Sequence, residues 1–264
     1  MTYHIHACQA AKGSSHGQGG IYRDLFIPIL VIQRCFLYKP VAMKGVFCTR
    51  DVSEGIDGKA RSVLSLLTSA LGGCDVYCLD QVHSDRIVLA QDIRSGDIPE
   101  ADAIISRNID DVLCVRTADC VPVLAWSDEA RLIAAIHAGW RGLALGIVEK
   151  TIRAMGTLGA VDIHASIGPA IGRCCYEVKT DVVEALGVEP QTNGRGSLFV
   201  DLQEVAASRL IRTGVDPQAI DVKALCTSCN KDSFFSFRRQ GDKAGRNISV
   251  IGGKSWLLPG LQVG

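Results

Sequence analysis

Residues 131–146 read RLIAAIHAGWRGLALG. The apolar run LIAAI predicts a buried strand rich in small side chains, and it ends on an imidazole, His137. Ala138-Gly139 and Trp140-Arg141-Gly142 follow as a Gly-flanked turn. LALGIVEKTIRAM (143–155) then takes up helical periodicity. His137 is therefore either a satisfied core histidine or one member of a site whose partners lie elsewhere in the chain.

The neighbouring segments continue this mixture. GKARSVLSLLTSALG (58–72) predicts a helix ending at Gly72-Gly73. VYCLDQVHSDRIVLA (76–90), DVLCVRTADCVPVLAW (111–126) and VDIHASIG (161–168) predict strands. DVVEALG (181–187) and DLQEVAASRLIRTG (201–214) predict helices that each stop at a glycine, and VKALCTS (222–228) and NISVIGG (247–253) predict closing strands. Strands and helices mixed without strict βαβ alternation point to an α+β or layered α/β fold. No repeat of fixed period is present.

Residues 1–42 carry no such pattern. They include the Gly/Ser-rich KGSSHGQGG (12–20), and they read as a poorly patterned N-terminal extension, upstream of a natural start at Met43. On this reading the catalytic domain is 43–264, and His4, His6 and His16 are incidental. FIPILVI (26–32) is too short to span a bilayer and lacks a basic leader and a cleavage site, so neither a membrane span nor a signal peptide is expected.

Composition narrows the function classes. Lys plus Arg and Asp plus Glu number 28 each, so no global field favours nucleic acid or anionic lipid, and no basic run with interleaved aromatics supplies a local patch. Eleven scattered cysteines, several inside apolar runs, suit a reducing cytoplasmic compartment rather than a disulfide framework.

Three β-rich segments each deliver a metal-ligand side chain near their ends: His83 in DQVHSDR, Cys120 in RTADCVPV and His137 in AAIHAGWRG. Two imidazoles and a thiolate with an open fourth position describe a catalytic zinc site, although separations of 37 and 17 residues match no local motif. The same residues also allow a Cys–His hydrolase with Cys120 as nucleophile and Asp119 orienting an imidazole. A structural zinc site from Cys74-x3-Cys78 and Cys226-x2-Cys229 is a further candidate. For anions, the turn into 143–155 offers backbone N–H groups beside Arg141, and FFSFRRQGDKAGRN (234–247) brings Arg238, Arg239 and Arg246 together. IGPAIGRCCYEV (167–178) adds a rigid turn where backbone approaches a ligand. No P-loop or dinucleotide fingerprint occurs.

Taken in order, CTR (48–50), DQVHSDRIV (80–88), ADAIISR (101–107), RTADCVPVLAW (116–126), IAAIHAGWRGLALGIVEKTI (133–152), IGPAIGRCCYEV (167–178) and CTSCNKDSFFSFRRQGDKAGRNISVIG (226–252) resemble the laccase-domain family, also called the YfiH-like or multicopper polyphenol oxidase family. The resemblance implies a single layered α/β sandwich domain with mixed sheets. It implies one catalytic zinc on His83, Cys120 and His137. It further implies a zinc-dependent purine nucleoside phosphorylase acting on adenosine, inosine, guanosine or methylthioadenosine with phosphate, with adenosine deaminase side activity. Within it, Arg50, Arg141 and Arg246 are the expected phosphate or substrate contacts, and Asp119 the expected proton handler. The partners are then a purine nucleoside and phosphate, in a cytoplasmic monomer or homodimer.

Two alternatives accompany this expectation. One is a copper-dependent polyphenol oxidase, with Cu2+ on the same His/Cys set. Six histidines, three of them in the extension, are too few for a multicopper cluster. The other is a degenerate, non-catalytic member linked to peptidoglycan editing. DVSEGIDGKARS (51–62) stands where members of the family carry Gly-rich and Asn-Leu segments that help to close the substrate pocket, and this departure favours it.

Overall fold

The computed structural model describes residues 35–36, 45–71 and 74–253. The expected extension, apart from 35–36, lies outside the described residues, as do Met43, the FIPILVI run and His4, His6 and His16.

The first half of the chain is strand-rich. It runs β1 (Cys35–Phe36), β2 (Gly45–Cys48), α1 (Ala60–Ala70), β3 (Val76–Cys78), β4 (Ile87–Leu89), β5 (Ala103–Ser106), β6 (Val112–Thr117), β7 (Val121–Ser127) and β8 (Leu132–Ala138). Then come α2 (Trp140–Leu145), α3 (Ile147–Thr157), β9 (His164–Ile167), β10 (Glu177–Val178), α4 (Thr180–Leu186), β11 (Gln191–Thr192) and β12 (Leu198–Phe199). The chain closes with α5 (Leu202–Arg212), β13 (Ile220–Val222), α6 (Phe237–Gln240) and β14 (Asn247–Gly252).

Two mixed sheets dominate. One is ordered β1-β2-β14-β6-β3 and the other β13-β9-β7-β8-β5-β4, while β10-β12-β11 form a small antiparallel sheet. In the six-stranded sheet the period of two decides which residue faces which layer. Leu132, Ala134, Ile136 and Ala138 of β8 pack with Val123 and Ala125 of β7 against Leu143, Ile147, Ile152 and Met155 of the helices. The intervening Ile133 and Ala135, with Leu124 and Trp126, meet Phe47, Leu113, Val115 and Ile251 of the other sheet. Both faces are thus buried, which explains why LIAAI is continuously apolar rather than alternating. The outer face of the five-stranded sheet is covered by Val63 and Leu67 of α1, packed with Val46, Cys114 and Val250. The result is helix, sheet, sheet, helix: a layered α/β sandwich, as the family resemblance implied. Each fully buried Ile or Leu contributes about 1.5–3 kcal/mol.

Local chemistry sets the ends of elements. Asp201 caps α5 by accepting the backbone N–H groups of Gln203 (3.0 Å) and Glu204 (3.1 Å), an arrangement worth about 1 kcal/mol. Two expectations are corrected. The helical period over 143–155 conceals a break, because Gly146 sits left-handed at φ 83° and ends α2 after six residues. In VKALCTS only Val222 belongs to a strand; beyond it the chain turns, and Cys226 makes an isolated bridge with Ala170.

Candidate metal centre

His137 follows Ile133 and Ala135 on the inter-sheet side of β8, next to last in the strand, and Pro122 of β7 is its paired residue. The turn between β6 and β7 therefore places Cys120 beside it, and the loop from β3 to β4 brings His83 over both. The Cys120 Sγ lies 3.8 Å from His83 Nε2, and the two imidazole rings meet edge-on at 4.8 Å. All three donor atoms lie within 4.8 Å of one another.

The backbone is bent to achieve this. His83 and Asp119 have φ of 61° and 90°, conformations that cost about 1–3 kcal/mol each in non-glycine residues and persist only where surrounding bonds enforce them. Asp102, fully buried at the entry to β5, is what enforces the conformation at His83. Its carboxylate accepts the His83 backbone N–H (3.0 Å), the Ser84 N–H (2.6 Å) and the Ser84 hydroxyl (2.7 Å). It also holds His137 Nδ1 at 2.7 Å, which fixes the ring and leaves Nε2 for the site. One carboxylate thus positions both histidines.

Charge is strongly coupled here. Burial raises the Cys120 thiol, but the His137 and His83 imidazoles outweigh it and bring the pKa to about 6. Burial lowers His137, yet the Cys120 thiolate and the Asp102 carboxylate raise it to about 9. Asp102 itself falls to about 2 against its burial, through His137 and Ser84.

These residues fit a divalent metal. A thiolate and two imidazoles are donors suited to zinc or copper, and a carboxylate–histidine contact completes the outer support. The space is also kept open: a Cβ on Gly139 would stand 3.0 Å from Cys120 Sγ and 3.1 Å from His83 Cδ2.

Above the three donors opens a cavity of about 540 Å³. Arg116, Arg141, Arg238 and Arg246 line it, against only two acids, Asp80 and Asp119. Among the described residues none of the four guanidiniums is ion-paired. Arg116 donates to the carbonyls of Gly58 and Leu79, Arg238 to that of Glu177, and Arg246 to those of Ala244 and Gly245. Arg141 stacks over Trp140 at 4.6 Å. Trp140, Tyr176 and Phe237 add aromatic surface.

A family model described as multi-copper polyphenol oxidoreductase laccase matches residues 48–254. The chain belongs to this family. A purine nucleoside phosphorylase of Bacteroides thetaiotaomicron is 39% identical over 166 residues, covering 57% of this chain and 60% of that protein's length. Adenosine deaminase RL5, from an unknown prokaryotic organism, is 34% identical over 67% of this chain and 74% of its own. The solved structure of YlmD from Geobacillus stearothermophilus superposes with a TM-score of 0.70 at 28% identity, covering 79% of this chain and 91% of its own.

In this laccase-family chain the residues named from the sequence divide between the cavity and its surroundings. Arg141, Arg246 and Asp119 line the cavity, whereas Arg50 does not; it bonds Glu54 and the Lys231 carbonyl and lies over the Phe235 ring. Asp119 is already engaged, its two oxygens accepting the Thr227 hydroxyl (2.7 Å) and the Arg238 backbone N–H (2.6 Å). The segment departing from the family pattern backs the cavity rather than lining it, since the Gly58 carbonyl accepts from Arg116. Cys74 and Cys78 do not join Cys226 and Cys229: Cys78 is buried in β3, paired with Cys114 of β6. The anion site expected at the start of 143–155 is reduced to the six-residue α2. The sequence alone does not single out Asp102, Arg116 or Tyr176. Asp102 was visible within ADAIISR, but a carboxylate opening an apolar run carries no mark of the histidine it will meet. Among the described residues no helix is long and apolar enough to cross a membrane.

Proposed function

We propose that this chain is a zinc-dependent purine nucleoside phosphorylase with adenosine deaminase side activity, and that His83, Cys120 and His137 hold the metal. The observation that carries the reading is one juxtaposition. A His/Cys/His donor set shares a cavity with four arginines whose guanidiniums, among the described residues, lack acidic partners. A zinc ion held there would supply Lewis acidity to a reacting oxygen.

The protein's own groups account for the rest of the design. Phosphate is a multivalent anion, and guanidiniums recognise its oxygens through paired N–H donors. Arg141 and Arg246 are the contacts already expected, and Arg116 and Arg238 extend the same wall. Trp140 and Tyr176 offer flat apolar surface for a purine. Phosphorolysis breaks the bond from C1′ of the ribose to the purine nitrogen and forms one from C1′ to a phosphate oxygen, giving free base and ribose 1-phosphate. Asp119 acts by position: its carboxylate ties the Cys120 turn to Thr227 and Arg238. The names of the relatives, purine nucleoside phosphorylase and adenosine deaminase, support both activities.

Zinc is favoured over a copper oxidase by ligand count. His164, the third described histidine, stacks on Trp126 and belongs to neither metal-ligand group, so among the described residues nothing adds imidazoles to the His83 and His137 pair. The test supplies adenosine with and without phosphate to protein of measured zinc and copper content. Adenine appearing only with phosphate supports the reading. Metal-loaded protein that leaves adenosine, inosine, guanosine and methylthioadenosine unchanged contradicts it.

A further inference from the structure

A second cluster of metal-ligating side chains lies outside the cavity. Cys174 and Cys175 come from the turn after β9, and Cys226 and Cys229 from the segment after β13. Their four sulfurs all lie within 4.8 Å of one another. Cys229 Sγ stands 3.5 Å from Cys174 Sγ and 3.4 Å from Cys175 Sγ.

The backbone builds this meeting. The bridge between Ala170 and Cys226 places the two segments side by side, with Ala170 N–H donating to the Leu225 carbonyl (3.2 Å) and Thr227 N–H to that of Ala170 (2.9 Å). Asn230 closes the Cys226-x2-Cys229 turn, its backbone N–H (3.0 Å) and side-chain amide (2.7 Å) both donating to the Cys226 carbonyl. Across the cluster, a Cβ on residue 172 would come within 3.2 Å of Cys226 Cβ and 3.5 Å of Cys174 Sγ, so glycine there leaves the thiols their room.

The distances favour a shared cation over a disulfide. A disulfide selects one partner at roughly 2.0 Å, whereas Cys229 approaches two neighbours almost equally. Four thiolates at about 2.3 Å from one zinc stand roughly 3.8 Å apart, close to the separations found.

We propose that Cys174, Cys175, Cys226 and Cys229 bind a structural zinc ion, separate from the His83/Cys120/His137 centre. The ion staples two walls of the cavity. Cys175 precedes Tyr176, which lines it, and Cys226 precedes Thr227, which holds Asp119.

Metal content tests this without reference to nucleoside turnover, so it stands or falls apart from the proposed activity. The full chain, purified under reducing conditions with zinc and desalted, is expected to carry two zinc ions by mass spectrometric metal analysis. Cys174→Ser/Cys229→Ser is expected to carry one. Should that variant fail to fold, His83→Ala/Cys120→Ala keeps the four cysteines intact, and its zinc X-ray absorption is expected to show an all-sulfur shell. A zinc count unchanged by Cys174→Ser/Cys229→Ser, a nitrogen- or oxygen-containing shell or no zinc in His83→Ala/Cys120→Ala, a metal other than zinc on these sulfurs, or an intact mass short by 2 Da per disulfide would each overturn the assignment.

Discussion

Asp102→Asn is the substitution that probes the metal centre most selectively. It preserves shape while removing charge from a fully buried carboxylate that accepts from two backbone N–H groups, a hydroxyl and His137 Nδ1. An amide offers one accepting oxygen and turns N–H donors toward groups that also donate. The folded carboxyl sits at about 2, against 3.8 for the ordinary group. A difference approaching two pKa units corresponds to about 2 kcal/mol. Because the folded pKa is depressed, this stabilisation is present above pH 4 and is lost as pH falls toward 2. Urea unfolding of the metal-free protein should therefore show the variant less stable by about 2 kcal/mol at pH 7, with the gap closing between pH 4 and 2. Loss of this outer support should also weaken zinc binding about 10–100-fold in chelator competition. Zinc affinity within twofold of the unsubstituted protein would refute the role assigned to Asp102.

Three further outcomes follow from the geometry. Gly139→Ala forces a methyl group against Cys120 Sγ and His83 Cδ2; zinc affinity should fall on the order of tenfold, with the fold intact by circular dichroism. Arg141→Ala removes a guanidinium with no acidic partner and should raise the KM for phosphate about tenfold or more, as loss of a charge-assisted hydrogen bond implies, while metal content stays the same. Ile133→Ala empties a fully buried position between the two sheets, and denaturant unfolding should report a loss of about 2–5 kcal/mol.

The mixture of strands and helices was legible because its strands carry the signal on their own, whereas the layering came from the family resemblance. LIAAI and VPVLAW are apolar on both faces, and the helices over 60–70 and 202–212 show clear amphipathic spacing. The break at Gly146 was not legible, since a lone glycine within a helical period is compatible with a continuous helix as well as with a stop. VKALCTS misled because β-rich composition says nothing about whether a partner edge is available; only Ile220–Val222 finds one, on β9. The His83, Cys120 and His137 types were readable, but separations of 37 and 17 residues encode no proximity. Register supplies the proximity, through the pairing of Pro122 with His137 and the bond from His137 N–H to the Asp102 carbonyl. The same limit explains the cysteine error. Spacing suggested Cys74 with Cys78, while the β3–β6 pairing buries Cys78 beside Cys114 and leaves Cys226 and Cys229 to Cys174 and Cys175.

On the function proposed, the His83/Cys120/His137 centre and the arginine-lined cavity together split purine nucleosides with phosphate. The most direct measurement titrates zinc into metal-depleted protein while following ribose 1-phosphate formed from inosine and phosphate. Turnover should rise with zinc occupancy, require phosphate, and be abolished in Cys120→Ser. Turnover independent of zinc, or a fully loaded centre that releases no ribose 1-phosphate, would overturn the proposed function.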